Sequence, residues 1–286
     1  MADSGELFIE TAADEGGDIS MVSEEVAVEI NPASQALESG ADSTENGLPF
    51  QDDAMDEVPA RATYIDYLKS PAVGLLVGQG DEQGLLTAHQ ALLTKSPWFK
   101  EQCERFGDDI RERSITLVDE DLDAVGCFLE FLYTGDYFPR KIVGTRDLER
   151  DPQEPLVDES GDQLLKHARV YTLADTLGLP ALKSLASSKI HCVNSTAKGE
   201  IAYARYVYAH TKKDDNAIRA PVAYFWATRS HTLRSEAEDE FRQMCLEFPQ
   251  FGYDVLTRVL DDKLKREKQD KLNPTPGSSR KRARGI

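Results

Sequence analysis

The side chains best able to hold a metal or move a proton are five histidines and four cysteines. His89, His167, His191, His210 and His231 show neither His-x-x-x-His nor His-Glu-x-x-His spacing, which would turn two ring nitrogens toward one zinc ion. His191-Cys192 is an adjacent pair of soft ligands, and sequence neighbours chelate poorly without partners from elsewhere. Cys103, Cys127, Cys192 and Cys245 form no Cys-x-x-Cys pair and read as reduced, mostly buried thiols of an intracellular protein. The acidic pairs Asp52-Asp53 and Asp108-Asp109 lie in polar stretches and read as solvated charge. Gly78 to Gly84 is rich in glycine, but no Gly-Lys-Ser/Thr closes it and no helix opens on it, so it reads as a hairpin turn rather than a phosphate cradle. No Gly-x-Ser-x-Gly elbow is present. The expectation is a non-enzymatic chain with no metal and no cofactor.

The elements that would position any site group around Leu85 to Tyr137. Leu85 to Ala88 is a short apolar run, followed by helical spacing at Leu92, Leu93 and Phe99. Ser114 to Val118 is β-branched and reads as a strand. Asp119 is placed to cap a helix whose apolar face is Leu122, Val125, Phe128, Leu129 and Leu132, and Gly135 is placed to close it in a left-handed cap. Upstream, Tyr64, Tyr67 and Leu68 suit a short helix stopped at Ser70-Pro71, and Val73 to Gly78 reads as the first strand. Together these predict a small sheet with helices, an α+β core.

Residues 138–162 carry Pro139, Pro152 and Pro155 among charges and read as a long exposed insertion. Helical periodicity returns at Leu164, Leu165, Ala168, Val170 and Tyr171, runs on to Leu177, and restarts after Gly178 and Pro180 toward Ile190. Four further stripes follow: Ile201, Ala204 (or Tyr203), Val207 and Tyr208; Ile218, Val222, Phe225 and Trp226; Phe241, Met244, Cys245 and Phe248; and Phe251, Val255, Leu256, Val259 and Leu260. Pro221 should kink the second of these or mark its start. The domain reading is therefore a tail over 1–60, an α+β unit over 61–190 with its insertion at 138–162, a helical extension over 191–262, and a second tail over 263–286.

The net charge of −18 is concentrated in the tails. Residues 1–60 hold 16 Asp/Glu and no Lys or Arg, residues 263–286 hold 9 Lys/Arg against 2 Asp/Glu, and the body between holds 24 basic against 33 acidic residues. A mildly acidic body is a poor nucleic-acid surface, because phosphate contacts need clustered cations. The acidic tail reads as disordered, with Met21 to Ile30 as a less polar segment able to bind. An acidic beginning does not fit a signal peptide, and the longest apolar stretch, Ala220 to Ala227, is too short to span a bilayer. Arg280, Lys281, Arg282 and Arg284 follow a Pro- and Gly-containing linker and fit a nuclear-import signal. The expected location is nuclear or nucleocytoplasmic.

Three stretches of this sequence resemble the BTB/POZ domain. The first is the run His89, Leu92, Leu93, Ser96, Pro97 and Phe99. The second is Phe128-Leu129-Glu130-Phe131-Leu132-Tyr133-Thr134-Gly135-Asp136-Tyr137, with Leu117 and Asp119 ahead of it. The third, ARVYTLADTLGLPALKSLASSKI, is similar to the helical pair that closes such a domain. The resemblance covers roughly Pro71 to Ile190 and implies the BTB/POZ fold, a small mixed sheet flanked by helices. The helices beyond it resemble the extension found in many fungal proteins of this family, which implies an all-helical C-terminal part.

What the resemblance implies for function is protein–protein interaction as an adaptor or scaffold, with Leu92, Trp98 and Phe99 near the packing core and His89 structural. Family members that recruit a cullin into a ubiquitin ligase carry a hydrophobic-x-Glu motif shortly before the strand found here at Ser114. Two stretches stand there, Ile110-Arg111-Glu112 and, less well matched, Phe106-Gly107-Asp108. An apolar anchor in a groove with a charge beside it would fix both affinity and register. Homo- or hetero-dimerisation through the BTB domain is a further expectation. The charged pocket of the zinc-finger members is not, since Ser70-Pro71-Ala72-Val73 and Thr87-Ala88-His89-Gln90 lack its two charges. An alternative function is a subunit of a nuclear transcription or chromatin complex, delivered by the basic tail.

Overall fold

The computed structural model describes residues 63–107 and 113–272, all within one unit, Pro59–Ile286. A short helix α1 (Tyr64–Leu68) leads into β1 (Ala72–Val77), a 3₁₀ turn at Gly80–Glu82, and β2 (Gly84–His89). Then come α2 (Gln90–Leu93), α3 (Pro97–Cys103), β3 (Ser114–Leu117) and α4 (Leu122–Thr134). The remaining helices are α5 (Asp162–Thr176), α6 (Pro180–Ile190), α7 (Ala197–His210), α8 (Asn216–Glu236), α9 (Glu238–Glu247) and α10 (Pro249–Leu272). The chain is α+β, with a three-stranded mixed sheet of order β2-β1-β3.

The central strand β1 pairs antiparallel with β2, Ala72 opposite His89 and Val77 opposite Gly84, and parallel with β3, Gly74 opposite Ser114. Side chains alternate across a strand, and here Val73, Leu75, Val77, Ile115 and Leu117 all fall on the buried face. A single core runs from these residues through α4 and α5 to Trp226, Met244 and Phe251 of the helical extension. Helix α5 touches α4 on one side and α6 and α7 on the other, so it is the shared wall between the sheet half and the all-helical half.

Three contacts tie distant segments together. Ser96, fully buried, accepts a hydrogen bond from the Phe99 amide at 3.3 Å and donates to the Leu177 carbonyl at 2.7 Å. It caps α3 and fastens it to the end of α5 at once. Phe99 then lies parallel to Phe128 of α4, centroids 5.4 Å apart, an offset stack of the kind worth about 0.5–1.5 kcal/mol beyond area burial. Gly178, at φ 69°, packs against Pro97, and a Cβ there would come within 3.2 Å of the proline ring.

Several expectations are corrected. Helix α4 is capped by Asp121, whose carboxylate accepts from the Ala124 amide at 3.0 Å, and not by Asp119. The chain leaving β3 turns first, so the helix starts later and Leu122, its first residue, stays exposed. The 138–162 segment is not wholly exposed: Val143 and Leu156 face solvent, but Asp158 is 2% exposed. The Asp158 carboxylate accepts from the Gly161 and Leu164 amides at 2.8 and 3.0 Å, a negative charge set at the start of α5 where the helix dipole favours it. Its backbone meanwhile bonds Asn194 and Thr196, and the chain there passes so close to α7 that a Cβ on Gly199 would lie 2.8 Å from the Asp158 carbonyl. Pro221 sits inside α8, which has already begun at Asn216, so it does not mark the start. In the last stripe Phe251 and Val255 are buried, but Leu256, Val259 and Leu260 are exposed.

Ser96→Ala deletes a buried donor and leaves the Leu177 carbonyl without its partner, which should cost about 1–3 kcal/mol. Urea unfolding of the full chain checks this against Ser114→Ala, an exposed serine expected to change stability by less than about 0.5 kcal/mol.

Candidate interaction site

The segment ahead of β3 holds the residues that the family resemblance would make a partner contact. Helix α3 ends at Cys103, and Phe106 follows with its amide bonded to the Cys103 carbonyl at 3.2 Å. The Phe106 ring is half-buried and packs against the core, so only part of it faces outward. Asp108, Ile110 and Glu112 lie outside the described residues, as do the tail cations Arg280, Lys281, Arg282 and Arg284. Beyond the gap, Arg113 bonds Gln90 of α2 at 2.5 Å, and its carbonyl accepts from Gly74 of β1 at 2.9 Å. The two ends of the 104–113 segment are thus fixed, one to α3 and one to the sheet. β3 is an edge strand among the described residues, with Ser114 and Thr116 exposed along it.

The sheet beside this segment is held from behind by a second polar pair. His89 ends β2 and begins α2; its amide donates to the Tyr133 hydroxyl at 3.1 Å, and its Nδ1 lies 2.7 Å from the same oxygen. His89 therefore couples the strand-to-helix turn to α4, a structural role. At the far end of α4, the fully buried Lys189 ammonium reaches Asp136 at 2.6 Å, bonds the Tyr137 carbonyl, and lies over the Tyr137 ring. Burial lowers its pKa, and Asp136 opposes that shift. A buried cation is tolerated only when paired in this way.

Two of the cavities among the described residues are lined by titratable side chains with strongly shifted pKa values. The larger, about 350 Å³, opens between the 139–156 segment, α5 and residues 192–194. His167, 1% exposed, forms part of its inner wall, and its Nδ1 sits 2.9 Å from the Tyr137 hydroxyl. Burial holds the His167 pKa down to about 3, so the ring is neutral at physiological pH. The smaller cavity, about 240 Å³, is lined by His191, Glu200, Tyr203, Phe225 and Arg229 among others. Burial pushes Glu200 up to about 7, against the pull of nearby Arg229 and with a smaller push from Asp158. A carboxyl poised there has the proton affinity of an acid–base group, but no described nucleophile bonds it. No group of three His, Cys, Asp or Glu capable of holding a metal occurs among the described residues. All four cysteines are free.

Asp158, His167, Lys189 and Glu200 were not marked by the sequence, because none carries a recognisable spacing; their partners come from other elements. No family model matches the chain, and no curated protein matches it either. Among the described residues, no helix is long and apolar enough to cross a membrane.

Glu200 gives a signed pH effect. Its carboxyl is protonated in the folded chain below about 7 and in the unfolded chain only below its ordinary value of 4.5. Between these values the folded state holds more protons, so stability falls as pH rises through the window, and the penalty is complete above it. Glu200→Gln removes that penalty and should raise stability by about 3 kcal/mol at pH 8, with the gain vanishing near pH 4. Unfolding curves at the two pH values test it; an equal effect at both would show that burial of the charge is not the cause.

Proposed function

We propose that this chain is a BTB/POZ-type interaction protein, a non-enzymatic adaptor that recruits a cullin-type partner through the 106–112 segment beside β3. The observation that carries the reading is the meeting of its three motif stretches. His89 touches Tyr133, Phe99 stacks on Phe128, and Ser96 bonds Leu177, so residues from all three stretches share one core. Such packing is what the resemblance requires of these stretches. The mixed sheet flanked by helices, followed by α7 to α10, agrees with the fold that the resemblance implies.

The inward packing of Phe106 favours Ile110-Arg111-Glu112 over Phe106-Gly107-Asp108 as the anchor, since an anchor already spent on the core has little area left for a partner. Ile110 would supply the apolar anchor for a partner's groove, and Glu112 would set register through charge.

Full-length chain, wild type beside Ile110→Ala/Glu112→Ala, should be used to capture a purified cullin. Loss of an anchor costs about 2 kcal/mol or more, so capture should fall roughly tenfold or further. Absence of cullin from both samples would sink the adaptor reading and leave a nuclear regulatory subunit, delivered by Arg280, Lys281, Arg282 and Arg284, as the better one.

A further inference from the structure

The helical half holds a polar cluster that the adaptor reading does not use. On α7, Glu200 and Tyr203 stand three apart and share a face; on α8, Val222, Phe225 and Arg229 do the same. These two helices pack together. Their facing residues, with His191 at the end of α6, line the cavity of about 240 Å³. That is below the ~300–1,000 Å³ of a drug-sized pocket, so its occupant is a small molecule.

The polar groups of this cavity lack partners. Tyr203 is 5% exposed, and its hydroxyl bonds nothing among the described residues. Burial pushes its pKa up, with added fields from Glu200 and Tyr171 and no hydrogen bond. Nor is the oxygen walled in: among the described residues the enclosed polar atoms without partners are Arg113 Nε, Trp226 Nε1 and Arg258 Nε, so the Tyr203 oxygen opens on the cavity it lines. A buried hydroxyl in that position has its hydrogen bond left for a ligand. Arg229 draws the Glu200 pKa down through space without bonding the carboxyl. Its guanidinium lies instead over the Phe225 ring, 4.7 Å from the centroid. An acid and a cation thus face one cavity without neutralising each other, beside apolar walls from Leu164, Ile190 and Val222. A ligand of one charge would leave one of them unpaired. A zwitterion pairs both, through charge-assisted hydrogen bonds about twice as strong as neutral ones.

We infer that this cavity binds a free α-amino acid with an apolar side chain. Its ammonium donates to Glu200, its carboxylate accepts from Arg229 and the Tyr203 hydroxyl, and its side chain lies against Leu164, Ile190 and Val222. Below pH 7 the Glu200 carboxyl holds a proton, which must leave to the buffer before the ammonium docks; above pH 7 no proton moves. The other charged and titratable groups around Glu200 are Tyr203, Arg229, Asp158 and His191, the last held below its ordinary pKa by burial and by Lys141. The site shares no residue with the 106–112 segment, so it stands whether or not a cullin binds there.

Isothermal titration calorimetry of the full chain with free leucine tests it. Saturable one-to-one binding is expected at pH 8. At pH 6, where about a tenth of Glu200 is ionised, affinity should fall roughly tenfold and about one proton should be released per ligand. Isocaproate, which lacks the ammonium, and isopentylamine, which lacks the carboxylate, should each bind at least about tenfold more weakly. Glu200→Gln and Arg229→Gln should weaken leucine binding by a similar factor, and Glu200→Gln should also abolish the proton release. Tyr203→Phe should weaken binding while leaving the melting temperature of the free chain unchanged or raised, because the hydroxyl it removes had no partner. Absence of saturable heat at pH 8 overturns the inference. So does leucine binding that survives Glu200→Gln and Arg229→Gln, either fragment binding as well as leucine, or equal affinity at the two pH values.

Discussion

The hydroxyl of Ser96 is the constraint on which the rest of the arrangement depends. It lies with no water contact between the start of α3 and the end of α5 and satisfies a backbone group of each. Fixing the direction of α3 places Phe99 on Phe128 and so docks α4 over the sheet. It also sets the direction in which the chain leaves α3 at Cys103. A buried hydrogen bond of this kind adds little net stability by itself, but its absence leaves two polar groups stranded, which is why it specifies one packing rather than many.

The polar residues inside the helical half act in the same way. Asp158 holds the start of α5 and the loop before α7 together. Lys189 ties α6 to the end of α4, and Arg219 ties α8 to the end of α7 through the Tyr208 and Thr211 carbonyls. Each joins a loop that has few apolar side chains of its own to an element that has many. The apolar core supplies the driving force, while these groups set the angles between helices. The result is a frame whose described surface leaves the β2 and β3 edges and apolar side chains of α1 and α10 exposed.

Much of the frame was legible in the amino-acid order, because short-range rules govern it. The β-branched run at Ile115 and Thr116, the glycine at 135 and the proline at 180 each act on their own neighbours, and the elements fall where those residues put them. What escaped depends on distant partners. Asp119 and Asp121 are equally good caps locally, and only the turn after β3 selects the second. Leu256 and Leu260 have the spacing of core residues, yet α8 covers only the opposite face, a fact of helix placement that periodicity cannot contain. Asp158, His167, Lys189 and Glu200 look like ordinary surface polar residues until α5, α6 and α7 close around them. Of the proposed partner segment, only Phe106 and Gly107 fall within the described residues.

On the proposed function, a cullin meets the chain at the segment between α3 and β3 and leaves α7 to α9 untouched. Hydrogen exchange of the full chain, with and without a purified cullin, tests that most directly. Slowed exchange confined to amides 104–118, with α7 to α9 unchanged, is the result the account predicts. Protection appearing on α7 to α9 instead, or no change anywhere at saturating cullin, would contradict it.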